Sequence, residues 1–126
     1  LGGTGYKIPS DAEWTWACTA GAKGSYHFGS DDSKLGDYAW YSVNSDGRTH
    51  RVSEKKPNAY GLFDIHGNVR EWNEEMLTKA DGAPERVTRG GSWYYPAAAC
   101  AVGGPRHRHV PAHRNNHTGL RLSRVP

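Results

Sequence analysis

Aliphatic side chains are scarce in this sequence. Leu, Ile, Val and Phe together supply 17 of 126 residues, under the ~20% below which disorder becomes a live expectation. A formal net charge of only +3, with five Trp and seven Tyr, argues against disorder, since disordered chains are highly charged and poor in aromatics. The core is therefore expected to be small and aromatic. Cysteine is nearly absent: Cys18 and Cys100 are the only two, too few for a disulfide scaffold and without CxxC spacing. One bridge and two free thiols remain equally open. No apolar run approaches ~18 residues, which excludes a membrane-spanning helix. Acidic residues stop at Glu85 and lysines at Lys79. Residues 1–85 hold nine Lys/Arg against thirteen Asp/Glu, whereas residues 86–126 hold seven Arg and no acid. A basic tail raises nucleic acid or acidic partners. Several of these Arg fall in strand-like flanks, where they can pair with the acidic part, so nucleic acid is not the partner the pattern favours.

Glycine and proline are plentiful, at sixteen and seven, and point to turns and long loops in one domain. Leu1–Gly5 reads like a turn after a helix that is not present. Tyr6–Pro9 is extended, because Pro9 biases Ile8 toward β. Ser10 and Glu13 form a capping-box pattern, which predicts a helix over about Asp11–Ala20 with Trp14, Ala17, Cys18 and Gly21 on one face. Asp46-Gly47 marks a turn, followed by a short strand over Thr49–Val52. A tight turn at His66-Gly67-Asn68 leads into a strand at Val69–Trp72 or a little beyond. Asn73–Pro84 reads as acidic and turn-rich, and Arg86–Trp93 as a strand with Trp93 in the core. The last frame element is Gly119–Val125.

Between these last two strands lies Tyr94–His117, YYPAAACAVGGPRHRHVPAHRNNH, with a period of neither 2 nor 3.6. A regular frame around a patternless insert is the main functional clue. His107, His109, His113 and His117 invite a zinc reading. Pro105, Pro111 and Gly103-Gly104 argue against the helix that would align them, so solvated loop histidines are expected instead.

Three segments in order, Tyr6–Trp14, Asn58–Trp72 and Arg89-Gly90-Gly91-Ser92-Trp93 closing at Gly119-Leu120-Arg121, resemble the formylglycine-generating-enzyme (sulfatase-modifying factor) domain. The resemblance implies an α+β, C-type-lectin-like fold with little regular secondary structure. It also implies that the family's first strand and helix, normally upstream of Tyr6, are missing here, either lying on a separate chain or left out of this one. The family's oxidase activity uses two cysteines and copper after the Gly-Gly-Ser motif; counting along, these positions fall on Tyr95 and Cys100. One thiolate ligand is absent, so a non-enzymatic protein with no required cofactor is expected, the alternative being a formylglycine-generating oxidase-like enzyme or an inactive relative of one. The family's calcium site would fall on the Asp64 and Glu71 side chains and the Gly67 and Val69 carbonyls, hard oxygen ligands that suit Ca²⁺. Arg70 brings a cation close to it, and pairing of Asp64 and Glu71 with arginines is the alternative.

Within the family, the chain is most similar to the variable proteins of diversity-generating retroelements, which share a Gly-Gly-Ser-Trp strand, a variable segment and a closing Gly-x-Arg strand. That resemblance implies randomised adenines in AAC-type template codons, giving NNC codons that cannot encode Lys, Glu, Gln, Met or Trp. Tyr94–His117 contains none of those five types. Residues 1–93 would then be scaffold, 94–117 the variable segment and 118–126 the closing strand. The expected varied positions are Tyr94, Tyr95, Pro96, Ala98, Ala99, Gly104, Pro105, His107, Arg108, His109, Val110, His113 and His117, with Asn115 and Asn116 as unchanged remnants. Tyr and Arg are favoured contact residues, and a protein or cell-surface ligand is the expected partner.

Overall fold

The computed structural model describes residues 5–124. Most of the expected Leu1–Gly5 turn, and Val125 in the closing strand, lie outside the described residues. Strand β1 (Tyr6–Lys7) pairs antiparallel with β6 (Ser123–Arg124), tying the two ends of the chain together. Helix α1 spans Asp11–Thr19, and both halves of the capping box are made: the Glu13 amide donates to Ser10 Oγ at 3.1 Å and the Ser10 amide to Glu13 Oε2 at 2.9 Å. The helix ends at Ala20, which is left-handed at φ 47°, so Gly21 lies beyond it rather than on its buried face. Trp14 and Cys18 point inward.

Residues 20–69 contain one 3-10 helix, Asp32–Asp37, which buries Leu35. The strand expected over Thr49–Val52 is not formed. The Asn68 side chain takes the place of a partner strand: its Oδ1 accepts from the His50 amide at 2.9 Å and its Nδ2 donates to the His50 carbonyl at 3.1 Å. With both backbone groups satisfied locally, no ladder is needed.

The main sheet runs β4 (His107–His109), β3 (Pro84–Arg89), β2 (Arg70–Thr78), β5 (Thr118–Gly119), antiparallel except for the β2–β5 pair. Strand β2 continues to Thr78 through the stretch expected to be turns. Its acidic residues are accommodated by outside partners: Glu75 accepts the Asp11 amide at the start of α1 at 2.7 Å, and Glu74 reaches Lys7 at 3.4 Å. A register shift between Trp72 and Met76 absorbs the irregularity. Strand β3 stops at Arg89 instead of Trp93. Gly90 turns the chain at φ +84°, and Gly91 lies so close to Cys100 that an added Cβ would sit 2.2 Å from its sulfur. The closing strand is divided into β5 and β6 because Arg121, between them, turns inward to Glu71 and the Phe63 carbonyl.

The insert is not free of structure. Ala97–Cys100 forms a single-turn helix, α2, which buries Cys100, and β4 lies inside the insert. The expected small aromatic core is present as two clusters. Tyr26, Leu35, Ala39, Tyr41 and Cys100 form one, and Trp14, Cys18 and Ile65 the other. Polar side chains are buried just as deeply: Arg70, Arg89, His66, Asn73 and Thr88 are all under 2% exposed. Buried polar groups need partners, so this fold is held by hydrogen bonds as much as by apolar packing.

Candidate functional site

Register decides which side of the sheet each insert residue occupies. Thr88 faces His107 and Arg86 faces His109 across β3–β4, while Val87 faces Arg108. Alternation therefore places His107 and His109 on one face and Arg108 on the other, where Arg108 lines a cleft with Asp11 and Glu75. Arg108 is thus separated from the histidines it was expected to accompany.

The His107/His109 face gathers rings from well-separated parts of the chain. The Tyr95 hydroxyl is 3.2 Å from His107 Nδ1, and its ring meets His107 and His117 edge-on at 5.2 and 5.6 Å. Tyr94 stacks on His117 at 5.9 Å, and His109 stacks on His113 at 4.2 Å. Trp72, which no sequence motif pointed to, meets His109 edge-on at 6.0 Å. Its place depends on β-sheet register, and no local pattern encodes that. Tyr94 is 62% exposed and Val110 44%. Pro96, Ala98, Pro105 and His113 are also exposed, and Ala99, Tyr95 and His117 are half-buried.

The supports beneath the face are fixed. Asn115 Oδ1 accepts the His117 amide at 2.9 Å, the Asn116 carbonyl accepts from Trp93 Nε1 at 2.9 Å, and the His117 carbonyl accepts the Arg70 amide at 2.8 Å. Trp93 is only half-buried, so it serves as a clamp on the loop and not as the core residue expected. Gly104 departs from the expected varied set: an added Cβ would lie 2.6 Å from the Ala99 carbonyl oxygen and 2.9 Å from that of Ala101, backbone contacts that leave no room for a side chain.

Arg70 is fully buried under this face. It donates to Thr88 Oγ1 and to the carbonyls of Thr88, Gly90 and Pro105, and lies 5.5 Å from the Tyr95 ring centre. Its guanidinium is therefore committed away from the expected calcium position, and burial pulls its pKa down to about 10. His107, His109 and His117 are held below the usual imidazole range by burial, and then by Arg70 and neighbouring imidazoles. Four polar atoms here are buried without a hydrogen-bond partner: His109 Nε2, Asn115 Nδ2, His117 Nδ1 and Thr118 Oγ1.

The expected calcium groups line a separate cleft of about 340 Å³, with Asp64, Gly67, Val69 and Glu71 in its wall. Glu71 does not fit a calcium ligand there. Both its oxygens bind Arg121, at 2.8 and 2.9 Å, and Oε2 also accepts from Trp14 Nε1 at 2.8 Å. Arg121 is the cation at this place. Asp64 Oδ2 accepts the Ser53 amide at 2.8 Å, which leaves Oδ1 as its one buried, unpartnered oxygen; Ca²⁺ takes 6–8 oxygens. No group of three or more His, Cys, Asp or Glu poised for a metal occurs among the described residues.

Both cysteines are free and buried. Burial pushes each thiol up to about 12, far from the thiolate that copper ligation and redox chemistry use. His66 sits between them, its Nδ1 donating to the Cys100 carbonyl at 2.8 Å and its Nε2 accepting the His27 amide at 3.2 Å. It is a neutral, structural histidine, with burial lowering its pKa to about 4.

Residues 2–125 match the sulfatase-modifying factor enzyme 1-like domain. The chain belongs to that family. Variable protein 1 of Treponema denticola superposes on it with a TM-score of 0.88 at 39% identity, covering 98% of this chain and 49% of that one. The chaperone protein LppX of Paenibacillus barcinonensis is 30% identical over 112 residues, 73% of this chain and 40% of LppX. The formylglycine-generating enzyme of Thermomonospora curvata is 29% identical over 156 residues, 97% of this chain and 50% of the enzyme. The chain spans half or less of the length of these relatives. The superposition on variable protein 1 bears out the α+β, C-type-lectin-like fold and the resemblance to variable proteins. The sulfatase-modifying factor family includes enzymes, and in this member the two positions expected to carry the oxidase cysteines are Tyr95, hydrogen-bonded to His107, and Cys100, sealed in the core.

Proposed function

We propose that this protein is a non-catalytic recognition protein whose binding surface is the ring-lined face of Tyr94–His117, diversified by a retroelement. The carrying observation is the division within the insert. Cys100 and the backbone around Asn115–His117 are built into the scaffold, whereas Tyr94, Tyr95, His107, His109, His113 and His117 collect on one side of the sheet. A rigid sheet beneath tolerant side chains suits recognition, and the likeness to variable protein 1 supports the same reading.

The nucleotide sequence supplies the test for diversification. An imperfect repeat of the Arg89–Arg121 coding region nearby, differing only at adenines, is expected. Differences at other bases, or no repeat and no reverse transcriptase gene, would count against it. Copper(I) titration with an assay on a cysteine-containing sulfatase peptide tests the non-catalytic half. No turnover is expected, and tight copper binding with turnover would overturn it.

A further inference from the structure

We propose that the ring-lined face takes an acidic polypeptide segment, its carboxylates drawn by the field of Arg70 and the imidazoles of His107, His109 and His117, and its chain packed on Tyr94. The inference rests on the recognition function proposed above and names the ligand chemistry.

The first ground is uncompensated charge. Arg70 is fully buried directly beneath the face, yet all its acceptors are neutral: the Thr88 hydroxyl and the carbonyls of Thr88, Gly90 and Pro105. Buried Arg89 and half-buried Arg121 differ. Arg89 lies 3.1 Å from Asp11, and Arg121 pairs with Glu71 at 2.8 Å. A buried charge without a counter-ion projects its field to the nearest solvent-facing surface with little screening, and for Arg70 that surface carries Tyr95, His107 and His117.

The second ground is the set of unpartnered polar atoms. Asn115 Nδ2 can only donate, Thr118 Oγ1 can donate, and His117 Nδ1 and His109 Nε2 donate when those rings are protonated. These atoms are buried, so a ligand does not touch them; unneutralised donors just under the surface add fixed positive partial charge beneath the place a carboxylate would occupy.

The third ground is the near absence of competing acid. Among the groups packed against this face, Arg70 on β2, Arg86 on β3, His107 and His109 on β4, and His113 and His117 in the following loop are basic. Glu85, which acts on His109, is the one carboxylate felt there. Residues 86–126 contain no acid at all.

A polypeptide suits the face better than nucleic acid. Binding a phosphate backbone relies on a run of Lys and Arg, and there is no Lys after Lys79. Arg108 lies on the opposite side of the sheet and Arg106 is held by Asp11 at 2.8 Å. Spaced carboxylates with tyrosine packing match what remains.

The test titrates the protein with N-acetylated hexaglutamate, hexaglutamine and a twelve-nucleotide oligothymidylate, following histidine side-chain resonances. Hexaglutamate is expected to shift His109 and His117, with affinity rising about threefold or more between pH 7.5 and pH 6.0 as imidazoles gain protons. Hexaglutamine should not bind. The double variant His109→Glu/His113→Glu should weaken hexaglutamate binding at least about tenfold while keeping the native circular dichroism; the pH arm on the unaltered protein needs no variant to fold. Equal binding of hexaglutamine, tighter binding of the oligonucleotide, or shifts confined to residues near Arg89 and Arg106 would each overturn the proposal. Panning a random peptide library separates the two readings. Binders that map to this face without acidic residues leave recognition standing and overturn the acidic ligand, whereas no binder mapping there overturns both.

Discussion

Arg70, on β2, holds two other stretches of chain with one planar group: Thr88 and Gly90 at the end of β3, and Pro105 before β4. An ammonium has the charge without the fork, so Arg70→Lys should cost ~1–3 kcal/mol through acceptors left unpaired, read as a lower urea midpoint. The two tryptophans near the Gly-Gly-Ser turn should separate. Trp14, 1% exposed and bonded to Glu71, should lose ~3–5 kcal/mol on truncation to alanine. Trp93→Ala should cost ~1–2 kcal/mol, chiefly its bond to the Asn116 carbonyl; finding Trp93 the costlier would contradict its role as a clamp. His66 sets an acid limit. Its folded pKa of about 4 lies below the ordinary 6.5, so the unfolded chain binds a proton that the folded chain refuses in that window. Stability from this group is complete above pH 6.5 and declines toward pH 4, by about 3 kcal/mol over the full range. Urea midpoints at pH 7.5, 6 and 5 should fall in that order, and a flat series would refute the assignment.

At the scale of elements, the insert is an alternation of anchors and free positions. Ala98 is exposed on the outer side of α2, whereas Gly104 is pressed against the carbonyls of Ala99 and Ala101. Ala98→Ser should stay within ~0.5 kcal/mol of the parent, and Gly104→Ala should lose ~1–3 kcal/mol from forced backbone movement. Comparing their thermal unfolding measures which insert positions tolerate a changed side chain. The capping box of α1 and the β1 and β2 starts could be read from short-range signals, since Ser10, Glu13 and Pro9 act within a few residues. The extension of β2 through Asn73–Thr78 could not. Acidic composition suggested a solvated turn, and only the Asp11 amide and Lys7, more than sixty residues away, make a strand acceptable there.

Over the whole molecule, apolar surface is unevenly distributed. Trp16 is 67% exposed and Leu122 52%, and both line a cleft of about 310 Å³ with Leu62 and Ile65. Exposed apolar patches of this kind promote association. The 126-residue chain should therefore sediment with a concentration-dependent mass that Trp16→Glu/Leu122→Glu reduces; an unchanged profile would argue against that face as the cause. No helix among the described residues is long and apolar enough to cross a membrane.

The sequence by itself determined the family, the capped helix and the small aromatic core, and it set the insert apart by its lack of period. Each rests on residue type, on signals a few positions apart, or on motifs in order. Tertiary structure decided what that insert is. Pairing with β3 turned His107–His109 into a strand and sent Arg108 to the opposite side. It left Arg70 buried without a counter-charge and assigned Glu71 to Arg121. These outcomes depend on register and on contacts across many tens of residues, and a one-residue change in register would exchange the two faces.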